Sequence, residues 1–437
     1  MFDMLGFIER KRDGERHGAE ELASFVENVR DDAVPDYQTA AWLMAAFLRG
    51  LDEDELAAFT RALAFSGNVV ELPRAAGGTL AVDKHSTGGV GDKTTLIAVP
   101  LVAACGARVA KLSGCGLGFT GGTVDKLESI PGMNVHLTSE DFISQIERVG
   151  AAVSGHSLAL APAEGKLYAL RDVTGTVPSM PLIASSIVSK KIAGGGDAFV
   201  FDVKCGGGAF MRTPEEAAAL SRALVSLARS LGKKSVCLIS DMEQPLGEWA
   251  GNAAEVLEAV EVLSGRGPAD TRELSVALAA EMLLLSGVAS DAAEAARNAA
   301  GALDDGRALA KLREIVEAQG GDPAVCDDPA AILPRASLVS ELCAPTDGTI
   351  SRMDAREIGI ALREMGAGRL RKEDAIDRAV SVHILKKIGD PVSEGEPLLA
   401  AHYNNQERFK TALPRLAGAF GVSRGAAPRK LIHDRVE

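Results

Sequence analysis

The chain has 437 residues, 46% of them hydrophobic and 24% charged, which fits a globular protein with two or three domains and substantial cores. A formal net charge of −13 excludes the basic face that nucleic-acid binding needs. No uncharged run of about 18 apolar residues could span a membrane, and the charged stretch from Glu9 to Glu15 leaves no apolar core for an export signal, so a cytoplasmic protein is expected.

In chain order, residues 1–66 are predicted to be helical, with Leu22, Phe25, Val26 and Val29, then Ala41, Leu43, Met44, Phe47 and Leu48, recurring at helical spacing. Over 67–157 the texture alternates strand, glycine turn and helix. A second helical stretch, 158–193, carries a helix bracketed by Pro181 and Gly194 and is grouped with the N-terminal helices. The α/β texture returns over 194–333, where Phe199 to Val203 and Val236 to Ser240 read as buried strands. Within it, Thr213-Pro214-Glu215-Glu216 is a capping box that opens a helix ending near Gly232. A Gly, Asp and Pro cluster from Gly320 to Pro329 reads as a linker, and 334–437 as a small α+β C-terminal domain. The expected class is α/β: a small all-helical domain, a larger α/β domain with a central mixed sheet, and the C-terminal domain. Gly194-Gly195-Gly196 and Gly206-Gly207-Gly208 offer either hinge freedom or close backbone approach.

Two glycine-rich loops carry the chemistry. Lys84-His85-Ser86-Thr87-Gly88-Gly89-Val90-Gly91-Asp92-Lys93-Thr94-Thr95 and Lys111-Leu112-Ser113-Gly114-Cys115-Gly116-Leu117-Gly118-Phe119-Thr120-Gly121-Gly122-Thr123 each follow a short apolar run and precede a helix-like stretch. Strand, loop and helix in that order aim backbone N–H groups and a helix N-terminus at an anion, and each loop adds a lysine and hydroxyls. The first is one residue short of a P-loop, because Ser86 stands where the first glycine belongs. The second contains a formal G-x-G-x-x-G, a weak signal in so glycine-rich a stretch. Together they predict phosphate binding.

His85 sits among cations that disfavour its protonated form and is a candidate hydrogen-bond donor or acid. Ser186 and Lys190 lie one helical turn apart, with Arg171 a short loop earlier. Spacing alone favours the plainer reading of that pair as a solvated helix face, with Lys191 an ordinary surface charge. Six cysteines without a C-x-x-C pair give no zinc site or disulfide framework, and the histidines show no metal spacing.

The chain resembles the pyrimidine-nucleoside phosphorylase and thymidine phosphorylase family through Asp83 to Asp92, Gly121 to Gly132, Tyr168-Ala169-Leu170-Arg171-Asp172 and Ile183 to Lys191, nearly end to end. The resemblance implies a helical domain carrying the base site and a homodimer interface, an α/β domain carrying phosphate, and closure between them. It implies that phosphate is held by Lys84, His85, Ser86, Thr95, Lys111, Leu112, Ser113 and Thr123, and the pyrimidine by Arg171, Ser186 and Lys190, with His85, Arg171 and Lys190 catalytic. It also implies a structural potassium ion at Gly91, Lys93, Leu246, Trp249 and Glu258, where the Lys93 ammonium is an awkward neighbour for a cation. No organic cofactor is implied.

Lys111 stands where thymidine-restricted members tend to carry Met, so uridine, thymidine and deoxyuridine are expected substrates, with a thymidine-restricted enzyme as the alternative. A phosphoribosyltransferase of the anthranilate type would need magnesium and diphosphate contacts, for which no carboxylate cluster is visible. The family's second loop reads Ser-Gly-Arg-Gly-Leu-Gly-His-Thr-Gly-Gly; here Cys115 replaces the Arg and Phe119 the His, which puts a polar latch across the cleft in doubt.

Overall fold

The computed structural model describes residues 2–74, 78–116, 118–156, 159–371 and 374–437. Leu117 of the second glycine loop and the expected boundary at 157/158 therefore lie outside the described residues. The chain begins with helices α1 (Met4–Asp13), α2 (Ala19–Arg30), α3 (Asp36–Arg49) and α4 (Glu53–Ala64). Helix α2 buries Leu22, Phe25, Val26 and Val29, one stripe at i, i+3, i+4 and i+7. Asp52 opens α4 through a capping box closed by Glu55. These helices share a core around Phe7, Phe25, Trp42 and Phe59 with Ala163, Leu167 and Leu182 from two later helices.

The α/β unit starts with β1 (Ala81–Ser86), α5 (Thr94–Ala104), β2 (Arg108–Ser113), α6 (Thr123–Leu127), α7 (Ser139–Val149) and β3 (Ala151–Gly155). The chain then returns to the helical unit with α8 (Pro162–Thr174) and α9 (Met180–Ala193). It comes back with β4 (Ala198–Cys205), α10 (Pro214–Ser230) and β5 (Lys234–Asp241), a two-residue strand β6 (Trp249–Ala250), and helices α11 (Asn252–Leu263), α12 (Ala269–Ser286), α13 (Ala292–Asp304), α14 (Arg307–Ala318) and α15 (Pro329–Ile332). Every residue of β4 is buried, as a central parallel strand covered on both faces requires. Helix α10 carries the expected capping box of Thr213 and Glu216 with Pro214 at its start.

The last part contains β7 (Leu338–Cys343), β8 (Gly348–Met353), α16 (Ala355–Leu362), β9 (Ser381–Ile384), β10 (Pro391–Val392), β11 (Pro397–Tyr403), α17 (Gln406–Gly418), β12 (Phe420–Ser423) and β13 (Ile432–Val436). Its core of Ile350, Ile358, Val382 and Leu399 is separate from that of the large sheet. The six-stranded sheet has the order β13-β5-β4-β1-β2-β3. It is parallel except for β13, which runs antiparallel to β5 and makes the sheet mixed.

Three expectations are corrected. The unit expected at 334–437 does not keep its last strand, because β13 joins the large sheet, while β6 from the 249 region pairs with β9. The Gly320–Pro329 cluster is not a linker but lies against the α/β unit, with Asp322 N–H donating to Pro131 O at 2.9 Å and Val325 and Cys326 buried in its core. Strand β1 also runs on through Ser86, so Lys84, His85 and Ser86 belong to the strand rather than the loop. Of the glycine triplets, Gly195 shows close approach: at φ +81° its place for a Cβ lies 2.5 Å from Val70 O.

Candidate active site

A cavity of about 550 Å³ opens at the carboxyl ends of β1 and β2 and is walled on the other side by α8 and α9. Ligands of open α/β sheets bind at this end of the strands. One end of the cavity is lined by His85, Ser86, Thr95, Lys111, Leu112, Ser113 and Thr123, the other by Tyr168, Arg171, Ser186 and Lys190. Every candidate side chain for phosphate and base therefore reaches one space, except Lys84.

Lys84 does not line the cavity in this structure. Its ammonium is fully buried, 2.5 Å from Thr94 Oγ1 and 3.4 Å from Asp202. Lys204 lies 2.7 Å from Asp202 and 3.9 Å from Asp92. Burial pushes the Asp92 carboxyl up, but Lys204, Lys84, Lys126 and the Ser86 hydroxyl outweigh it and hold its pKa well below the usual range. Asp92 accepts from Ser86 Oγ and from Thr94 Oγ1 at 2.6 Å, so this buried cluster fixes the hydroxyls of the first loop from below.

Lys111 and Lys191 share one carboxylate: Lys191 Nζ is 2.7 Å from Asp83 Oδ2, and Lys111 Nζ 3.7 Å from Asp83 Oδ1. Lys191 is thus not a surface charge; it is buried and also donates to Leu112 O at 2.6 Å. Burial, Lys191 and Lys84 push the Lys111 ammonium well below its ordinary pKa, against the pull of Asp83. Burial and the same lysines hold His85 well below the usual imidazole range, so it presents a neutral ring.

At the base end, Arg171 is buried, and its guanidinium donates to Val177 O at 2.8 Å, Leu182 O at 3.1 Å and Thr176 O at 3.4 Å. These carbonyls fix the plane of the guanidinium. Ser186 and Lys190 are not a solvated face. Both bind the buried carboxylate of Glu164 on α8, Lys190 at 2.5 Å, and Lys190 Nζ lies 5.0 Å above the Tyr168 ring. Sequence reasoning missed Glu164, as it missed His156 and Phe210 in the cavity wall. A lone Glu near a helix start looks like a dipole partner, and only the packing of α8 on α9 shows what it holds.

Gly91, Lys93, Leu246, Trp249 and Glu258 do converge, but around the Lys93 ammonium itself. Lys93 Nζ donates to Leu246 O at 2.9 Å and Trp249 O at 2.8 Å and pairs with Glu258 at 3.0 Å, with both charged side chains fully buried. Those three contacts use all three donors of an ammonium. The expected potassium ion does not fit, because its place is already taken by a positive charge. Among the described residues, no group of three or more His, Cys, Asp or Glu is placed to hold a metal ion.

Phe119 does not face the helical unit. Its ring lies 5.1 Å from the Arg356 guanidinium and 5.7 Å from Phe210, at the edge of the C-terminal core. The second loop is tied to the same side, with Arg363 donating to Gly118 O at 3.2 Å and Arg369 pairing with Asp125 at 3.0 Å. In this structure the Phe119 ring packs on Arg356 and on Phe210 of the cavity wall rather than bridging the cleft.

The fold and site define a two-part glycosyl-transfer architecture, a helical bundle facing an α/β unit across one cavity. Residues 6–67 match the family described as glycosyl transferase family, helical bundle domain; residues 78–309 match glycosyl transferase family, a/b domain; and residues 349–423 match pyrimidine nucleoside phosphorylase C-terminal domain. The sequence is 47% identical over 430 residues to a pyrimidine-nucleoside phosphorylase of Staphylococcus haemolyticus, covering 98% of each chain. It is 47% identical over 436 residues to that of Geobacillus stearothermophilus, covering 99% of each, and 46% identical over 430 residues to that of Bacillus subtilis, covering 98% of each. The chain belongs to the pyrimidine-nucleoside phosphorylase family. Anthranilate phosphoribosyltransferase from Thermus thermophilus shares the fold, at a TM-score of 0.57 and 20% identity over 71% of this chain and 98% of that one.

Proposed function

We infer that this protein is a pentosyltransferase that phosphorolyses pyrimidine nucleosides reversibly, giving the free base and (deoxy)ribose 1-phosphate. The observation that carries the reading is a single cavity with a hydroxyl- and lysine-lined end beneath one wall and Arg171, Ser186 and Lys190 on the other. Phosphate rests against Ser86, Thr95, Lys111, Ser113 and Thr123, near the N-terminus of α5, and its oxygen attacks C1′ as the bond to the base breaks. The sugar passes through an oxocarbenium-like state, while holding both partners in one water-poor space supplies proximity. Charge that develops on the leaving pyrimidine is met by Arg171 and Lys190, and the neutral His85 ring offers an N–H to a base carbonyl.

The tethered Lys111 at the phosphate end favours an enzyme that accepts uridine along with thymidine and deoxyuridine over a thymidine-restricted one. A homodimer through the helical unit is supported by exposed Tyr37, Met44 and Leu48, which lie at i, i+7 and i+11 along α3, and by exposed Leu5 of α1, the helix in contact with α3. The deciding assay is release of uracil from uridine with and without inorganic phosphate, with ribose 1-phosphate measured in parallel. Strict phosphate dependence and equal yields of both products are expected. Release of uracil without phosphate, or no cleavage of any pyrimidine nucleoside, overturns the reading.

A further inference from the structure

Lys93 occupies a junction of three parts of the molecule. It stands immediately before α5, whose second residue Thr95 lines the cleft. Its two carbonyl partners, on Leu246 and Trp249, flank the turn that leads from β5 into α11, and its carboxylate partner Glu258 lies within α11. Trp249 belongs to β6, which pairs with β9 of the C-terminal sheet, and its indole stacks on His383 at 4.2 Å. The phosphate loop, the 246–249 turn and the C-terminal sheet therefore meet at one ammonium.

The surroundings are built for a small cation. Glu258 also accepts from the backbone N–H groups of Glu248, at 3.1 Å, and Trp249, at 2.5 Å, and from Thr271 Oγ1 at 3.3 Å, so its carboxylate is held in place without being neutralised by them. Gly91, at φ +71°, presses on the same oxygens, since a Cβ there would lie 2.5 Å from Leu246 O. Removing the ammonium would leave a buried carboxylate without its countercharge and two inward carbonyls without this donor, a costly combination. Adding a metal ion beside it would set a second positive charge against Glu258, where the neighbouring Asp270 is already paired with Lys387.

We propose that the Lys93 ammonium is this chain's permanent replacement for a monovalent metal cation, so that the junction holding the phosphate loop to the C-terminal unit forms and works without any bound metal ion. The cation is covalently tethered, fixed by three hydrogen-bonding partners, and independent of the salt in solution.

The test compares potassium, sodium and tetramethylammonium chlorides at equal ionic strength, reading both the thermal unfolding midpoint and the initial rate. The wild-type protein is expected to show the same midpoint and rate in all three. Lys93→Ser exposes the carboxylate and carbonyls to an empty space, so its midpoint should be lower in tetramethylammonium and should rise saturably with potassium or ammonium ion, as linkage to a ligand of the folded state requires. Adding Glu258→Gln to Lys93→Ser should abolish that response. If Lys93→Ser is recovered only as insoluble protein, refolding yield replaces the midpoint, and a higher yield in potassium than in tetramethylammonium is expected. A saturable potassium effect on the wild-type midpoint or rate overturns the proposal. So does a Lys93→Ser protein indifferent to small cations, or a double variant that keeps the response. The unfolding measurement does not depend on which reaction the enzyme catalyses.

Discussion

Glu164→Gln separates a buried positioning carboxylate from a passive helix residue. Glu164 is 2% exposed, its Oε2 is 2.5 Å from Lys190 Nζ, and its Oε1 accepts from Ser186. At that separation and an effective dielectric of about 20, the bare attraction is about 6–7 kcal/mol. Desolvation of the carboxylate opposes it, and the Lys190 side chain keeps 24% of its surface in solvent. Neutralising one partner of a buried pair costs about 3–5 kcal/mol, so a loss of about 2–3 kcal/mol in stability is expected for this half-open one. Gln keeps the size and the contact to Ser186, which confines the change to charge. Lys190 then loses the group that aims it at the base, and kcat for uridine should fall by about tenfold or more, equivalent to about 1.4 kcal/mol of lost transition-state stabilisation. The KM for phosphate should stay near its wild-type value, because the phosphate end is built by β1, β2 and α5. Thermal unfolding and steady-state kinetics with each substrate varied in turn measure all three quantities. Wild-type kcat, or a change confined to the phosphate KM, refutes the reasoning.

Three further outcomes are expected. Because burial, Lys191 and Lys84 depress the Lys111 pKa in the free protein, a phosphate dianion beside it should restore the charged form; titration calorimetry in buffers of different ionisation heat should show proton uptake on phosphate binding, lost in Lys111→Met, and its absence from the wild type would remove Lys111 from the phosphate site. His17 is pushed down to about 4 by burial, with Lys11 and Arg10 adding to the effect. Its folded pKa lies below the unfolded one, so the unfolded chain binds more protons and stability should fall by about 2–3 kcal/mol as pH drops from about 6.5 to about 4; His17→Leu should flatten that slope in pH-dependent denaturation curves. Phe119→His should leave half-saturating phosphate and nucleoside unchanged and cost about 1 kcal/mol of lost aromatic packing against Phe210, whereas tighter half-saturation would show that this loop does reach across the cleft.

Much of the fold was legible in the sequence because its signals are local. The stripe of Leu22, Phe25, Val26 and Val29, the Thr213 capping box and the glycine loops each depend on residues a few positions apart. What escaped depends on pairing between distant segments. Strand β13 meets β5 across nearly two hundred positions, and nothing in Ile432 to Val436 names its partner. The place of Lys84 required knowing that β4 pairs with β1 and brings Asp202 to its ammonium, more than a hundred positions away. Lys191 reads as a surface charge, and Glu164 gives no signal, because a helix face looks solvated until the element packed on it is known.

Charge balance separates the loop lysines that line the cavity from those that hold the framework. Lys84 and Lys204 face Asp202 and Asp92, so the layer beneath the first loop is neutral and closed to solvent. Lys93 is balanced by Glu258 and Lys126 by Glu255, which lies 2.6 Å away. Lys111 and Lys191 share Asp83 alone, which leaves that layer one positive charge in excess when both are protonated. The excess lies at the cavity wall, beside the hydroxyls of Ser86, Ser113 and Thr123. In a molecule with a net charge of −13, it gives a small anion a local positive site inside a repulsive surface. The buried pairs hold the loops in place, and the one unbalanced lysine layer is where an incoming dianion would gain most, because there it favours the doubly protonated state that the lysines of the free protein oppose.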